Sequence, residues 1–67
     1  MYIVREVFGT MCRVIGKNNK PIDPDNFELD KVKYFKTRRD AAAWIRKHTH
    51  EGMSFYYELM GVSEERK

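Results

Sequence analysis

From Tyr2 to Phe8, and again from Met11 to Gly16, apolar and β-branched residues crowd the chain, and only Gly9-Thr10 separates the two runs. A glycine plus one further residue between β-prone runs is the pattern of a two-residue type II′ hairpin, whose first turn residue takes a positive φ. That register sets Phe8 against Met11 and Glu6 against Arg13, an opposite-charge cross-strand pair contributing roughly 0.2 to 1 kcal/mol. Alternation then places Tyr2, Val4, Phe8, Met11 and Ile15 on one face and Ile3, Val7, Cys12 and Val14 on the other. Both faces are apolar, so both call for cover.

Lys17 to Lys20 reads as a polar turn, and Pro21 with Pro24 keeps the next stretch irregular. Ile22, Phe27 and Leu29 are spaced there as anchors into the body, while Asp23, Asp25, Glu28 and Asp30 face water or the basic segment. Val32 to Lys36 alternates weakly and predicts a short third strand. Thr37 suits a helix N-cap, with Asp40 at the capping-box position, so the helix begins at Arg38. Ala41, Trp44, Ile45 and His48 fall at i, i+3, i+4 and i+7 as one apolar stripe, and Gly52 is the expected stop. Met53 to Met60 predicts a final strand, ended by Gly61, with Phe55, Tyr57 and Leu59 on one side and Tyr56 and Met60 on the other.

The elements add up to an α+β fold: a small antiparallel sheet packed against one helix in the order βββαβ, with residues 1–67 as a single domain and 62–67 as a frayed tail. One helix covers only one face of such a sheet. The loop from Pro21 to Leu29 is expected to cover the other. Failing that, the open face, with Tyr56 and Met60, becomes a partner surface or a homodimer contact.

Sixty-seven residues leave room for one core and none for a cleft between domains. With 42% hydrophobic and 13% aromatic residues the chain is too apolar to be disordered. A core of this size leaves about 3 to 5 kcal/mol of net stability, which keeps self-association in view. The single cysteine excludes an internal disulfide and fits a reducing, cytoplasmic setting; no signal peptide and no membrane-spanning run is read in the chain.

Charge changes the picture most. Lys31, Lys33, Lys36, Arg38, Arg39, Arg46 and Lys47 stand against the single acid Asp40 between positions 31 and 47, seven minus one or +6, whereas the whole chain carries +3 and the remainder therefore −3. These seven residues are the candidate nucleic-acid-binding set. Arg38 and Arg39 oppose the positive end of the helix dipole, a conflict that an anion bound at the helix start would resolve.

The run Lys33-Tyr34-Phe35-Lys36-Thr37-Arg38-Arg39-Asp40-Ala41-Ala42-Ala43-Trp44 resembles the strand-to-helix entry of the arm-site DNA-binding domains of phage-type integrases, where a three-stranded sheet packs on a helix. The resemblance covers a dozen residues. It implies a sheet face seated in a major groove, and the present chain departs from it by adding a strand after the helix.

Catalytic patterns are missing. Cys12 with His48 or His50 lacks an oxyanion-hole motif or a glycine elbow, so core packing is the expected role of Cys12 and the apolar stripe that of His48. Cys12, His48, His50 and Glu51 do not have the regular spacing of a zinc site, and Phe27 and Glu28 interrupt any calcium loop begun by Asp23 and Asp25. Tyr34, Phe35, Tyr56 and Tyr57 have the chemistry to stack on bases, but at strand positions core packing is their commoner role. The sequence thus points to a non-enzymatic binding protein without a cofactor. Its partner is a nucleic acid or an acidic protein surface, and no membrane. The alternative is a protein-binding inhibitor or adaptor of the phage or mobile-element type, docking by an open sheet face or edge.

Overall fold

The computed structural model describes residues 1–62; residues 63–67 of the expected tail lie outside them. Val62 itself is tied in, its N–H donating to the Met1 carbonyl at 2.9 Å. The elements are strand β1 (Tyr2–Phe8), strand β2 (Met11–Val14), two short 3-10 turns (Pro24–Asn26 and Leu29–Lys31), helix α1 (Arg38–His48) and strand β3 (Tyr56–Gly61). They form a three-stranded antiparallel sheet in the order β2-β1-β3 with α1 on one face, the α+β class that the hydrophobic pattern predicts.

Gly9 has φ 61° and is the only one of the two turn residues with positive φ, as a type II′ turn requires. Phe8 faces Met11 and Glu6 faces Arg13, and the Glu6 Oε1 accepts from Arg13 Nη2 at 3.0 Å. β1 pairs on its other side with β3, setting Val4 opposite Leu59, Arg5 opposite Glu58 and Glu6 opposite Tyr57. The central strand is thus the earliest in sequence.

β2 is shorter than the expected Met11–Gly16 run because the chain peels away at Ile15. Gly16 allows this: a Cβ there would lie 3.0 Å from the Lys31 carbonyl oxygen and 3.1 Å from Ile22 Cγ1. The segment from Val32 to Lys36 then takes the vacated place beside β1. It does so at one isolated bridge, Tyr2 with Phe35, while Val32 bridges Gly16 just past the end of β2, and the segment is not a full third strand. Tyr2 and Phe35 exchange both backbone hydrogen bonds, at 2.9 and 2.8 Å.

Val4, Ile15, Phe35, Ala41 and Trp44 form the buried cluster between sheet and helix, with Tyr2, Ile45, Tyr57 and Leu59 packed around it. Trp44 is its hub. The indole stands edge-on to Phe35 and Tyr57, stacks on His48 with centroids 4.0 Å apart, and donates from Nε1 to Asn19 Oδ1 at 3.1 Å. Asn19 reaches it from the left-handed region, φ 66°, where asparagine is tolerated. The polar turn after β2 is thereby fastened to the core.

α1 begins where expected: Thr37 Oγ1 accepts from the Asp40 N–H at 3.1 Å. Thr37→Ala is expected to cost about 1 kcal/mol, a fall of about 4 to 8 °C in Tm by circular dichroism. The helix ends before the expected glycine stop. His48 donates from Nδ1 to the Trp44 carbonyl at 2.8 Å, Thr49 is extended with its hydroxyl donating to the Ile45 carbonyl, and Gly52 belongs to a separate turn.

Burial, followed by the nearby Glu6 carboxylate, raises the Tyr57 phenol above its ordinary value of 10.0. The folded state therefore holds this proton more tightly than the unfolded state, so the stabilisation is intact below pH 10 and lost as pH climbs through the folded pKa. Tyr57→Phe should flatten the alkaline fall in Tm.

Two packing expectations are corrected. Phe27 is 44% and Leu29 67% exposed, and only Ile22 of the three anchors is half-buried, its N–H bonded to the Val14 carbonyl at 2.8 Å. The loop thus lies along the β2 edge, held by Asp23, which caps the Pro24 turn through the Asp25 N–H, and it leaves the second sheet face open. Cys12 is exposed on that face instead of packed in the core, because β2 is an edge strand with nothing laid over it among the described residues.

Candidate nucleic-acid interface

The buried stripe of α1 fixes which side chains look outward. At 100° per residue, Arg39, Ala43 and Arg46 follow one another along the face opposite Ala41, Trp44, Ile45 and His48, with Ala42 and Lys47 beside them. A rise of 1.5 Å per residue puts about 10 Å between the Cα atoms of Arg39 and Arg46, with only alanine methyls between them. Arg38 and Lys36 are exposed at the entry to the same helix.

Of the seven basic residues singled out by charge, the fold groups five and diverts two. Lys31 lies on the loop, its Nζ 3.7 Å from Glu28 Oε1, and Lys33 is half-buried with its Nζ 5.7 Å from the centroid of the Phe35 ring. Lys36, Arg38, Arg39, Arg46 and Lys47 are all exposed, and among the described residues none of them makes a salt bridge. Glu6 and Glu58, by contrast, are matched to Arg13 and Arg5. Lys17 and Lys20 on the turn after β2 are likewise exposed without a salt bridge among the described residues, so the five on and around α1 are the larger group of unmatched cations, with the exposed Asp40 as the one acid among them. Arg46 and Lys47 sit comfortably at the negative end of the dipole, whereas Arg38 and Arg39 oppose its positive end.

The other sheet face has a different chemistry. Its centre is the ion pair between Arg5 and Glu58, in which the hydrogen bond that Arg5 Nη2 donates to the Glu58 carboxylate raises the arginine pKa still further. Among the described residues Arg5 Nε has no hydrogen-bond partner. Ile3 and Val7 are buried in the central strand, while Tyr56 is 61% and Met60 39% exposed on the flanking β3. The sequence pattern put Tyr56 and Met60 on this face correctly. It missed the Arg5–Glu58 pair, since the register of β1 with β3 joins residues 53 apart that no local signal links.

Elsewhere the structure separates groups that catalysis would need together. Cys12 lies on the open face and His48 packs on the helix side, so the sheet stands between them. A hollow of about 390 Å³ between the β2 turn and the loop has Lys17, Lys31, Asp23 and Asp30 in its lining, two positive and two negative side chains. Among the described residues no three His, Cys, Asp or Glu side chains gather to hold a metal ion. No helix among them is long and apolar enough to cross a membrane. Of the candidate stacking aromatics, Phe35 is buried, Tyr57 half-buried and Tyr34 and Tyr56 exposed. Comparison with protein-family models, with curated proteins and with solved structures finds no match to this chain.

Proposed function

We propose that this is a non-enzymatic binding protein whose basic face around α1 docks on a polyanion, and that the polyanion is nucleic acid. The supporting observation is the set of exposed, unmatched cations Lys36, Arg38, Arg39, Arg46 and Lys47 on one helix and its entry. Such a set lowers its own repulsion by meeting phosphates, and each contact releases condensed counterions. The helix surface between Arg39 and Arg46 is small and even, which lets a backbone approach closely. In a reducing cytoplasm the exposed Cys12 stays a thiol, compatible with this role.

The test is a titration of binding to random duplex and single-stranded oligonucleotides between 50 and 200 mM salt. A phosphate interface gives a linear fall of log K with log salt, at about −0.9 per contact on duplex DNA. A flat response would favour the second reading, an inhibitor or adaptor docking by its sheet, for which the exposed Tyr56 and Met60 speak.

A further inference from the structure

The two edges of the sheet are unlike. At β2 the loop covers the outer side: Ile15 bridges Pro21, and the outward Val14 carbonyl accepts from Ile22. At β3 nothing comparable is present among the described residues. The direction of its groups follows from the neighbouring bonds. Tyr2 bonds to Phe35 and the Val4 carbonyl to Ile15, so even-numbered residues of β1 point their backbone groups to the β2 side and odd-numbered ones to β3. Ile3, Arg5 and Val7 thus bond to Met60, Glu58 and Tyr56, and the N–H and C=O groups of Tyr57, Leu59 and Gly61 point out from the sheet. The strand Tyr-Tyr-Glu-Leu-Met-Gly holds no lysine, proline or bulge of the kind that blunts an exposed edge.

We propose that this edge pairs with the β3 of a second copy, antiparallel about a two-fold axis at Leu59. This register uses all three outward residues: Leu59 pairs with Leu59 of the second copy and Tyr57 with Gly61, giving about six backbone hydrogen bonds. Shifting the axis to Glu58 sets the two Glu58 carboxylates against each other, and shifting it to Met60 pairs only Leu59 and Gly61 of the three outward residues among the described ones. With the axis at Leu59, each Glu58 lies beside Met60 of the second copy on the open face, and like charges never meet. The facing position, Gly61, has no side chain to obstruct Tyr57. Face-to-face packing of two open sheets, the other way for two copies to meet, would strip water from the Arg5–Glu58 pair, a cost that edge pairing avoids. The result is a continuous six-stranded sheet with both helices on one side. It stands independently of whether that side binds nucleic acid.

The charge of residue 60 tests the register. Met60 is a surface position, so Met60→Glu and Met60→Lys should both fold, which thermal melts will verify. In sedimentation equilibrium Met60→Glu, which sets two carboxylates against the two Glu58 side chains, should raise the dimer Kd about tenfold, whereas Met60→Lys should leave it unchanged or lower it. Equal weakening by both substitutions would overturn this pairing. So would a parent protein that remains a monomer up to millimolar concentration.

Discussion

Trp44→Ala should abolish the cooperative folding transition of this protein at 25 °C. The indole fills the space between α1 and the sheet, touches Phe35, Tyr57 and His48, and holds the β2 turn through Asn19. Truncating a buried tryptophan costs about 3 to 5 kcal/mol, and a 67-residue core leaves a net stability of the same size. Far-UV circular dichroism with urea titration reads the outcome. Trp44→Phe separates packing from hydrogen bonding. It keeps most of the apolar burial, loses the bond to Asn19, and should cost on the order of 1 to 2 kcal/mol beyond its volume change. A Trp44→Ala variant melting within a degree or two of the parent would show that the core lies elsewhere.

Replacing Arg39, Arg46 and Lys47 together by Gln should lower affinity for duplex DNA on the order of a hundredfold at 0.1 M salt and reduce the log-salt slope by about 2.7, three contacts at 0.9 each. Stability should hardly move. Removing Arg39 relieves its conflict with the helix dipole, and removing Arg46 and Lys47 forfeits a favourable interaction with the opposite end. A merely solvated charge cluster would leave both affinity and slope unchanged, and the protein-binding reading would then take precedence. Arg38→Gln added to the triple variant asks whether the helix start contributes a further contact.

The elements that sequence predicts well are those fixed by neighbours in the chain. Gly9-Thr10 set the hairpin register, Thr37 sets the helix start, and the spacing of Ala41, Trp44, Ile45 and His48 sets its buried side. The misplaced residues depend on long-range geometry. Phe27 and Leu29 are as apolar as anchors need to be, but the loop runs along the β2 edge and never crosses the sheet. Cys12 belongs to a commonly buried type, yet it is exposed on the sheet face that α1 does not cover. Val32 to Lys36 has the composition of a strand, but the chain offers it bonds only where β2 bends away. In the candidate interface, net charge located the basic segment. Only the fold separates the outward set on α1 from Lys31 and Lys33, whose partners are a nearby acid and an aromatic ring.

The central strand also records its own history of opening. β2 is joined to β1 by a two-residue turn, whereas about 47 residues separate β1 from β3, so loop closure makes the second pairing entropically the more expensive. Partial unfolding should therefore release β3 while the hairpin still holds. Alternate amides of one strand would then exchange with solvent deuterium at two rates, faster at Ile3, Arg5 and Val7, which bond to β3, and slower at Glu6 and Phe8, which bond to β2. A single seven-residue peptide would thus carry separate clocks for the two halves of the sheet.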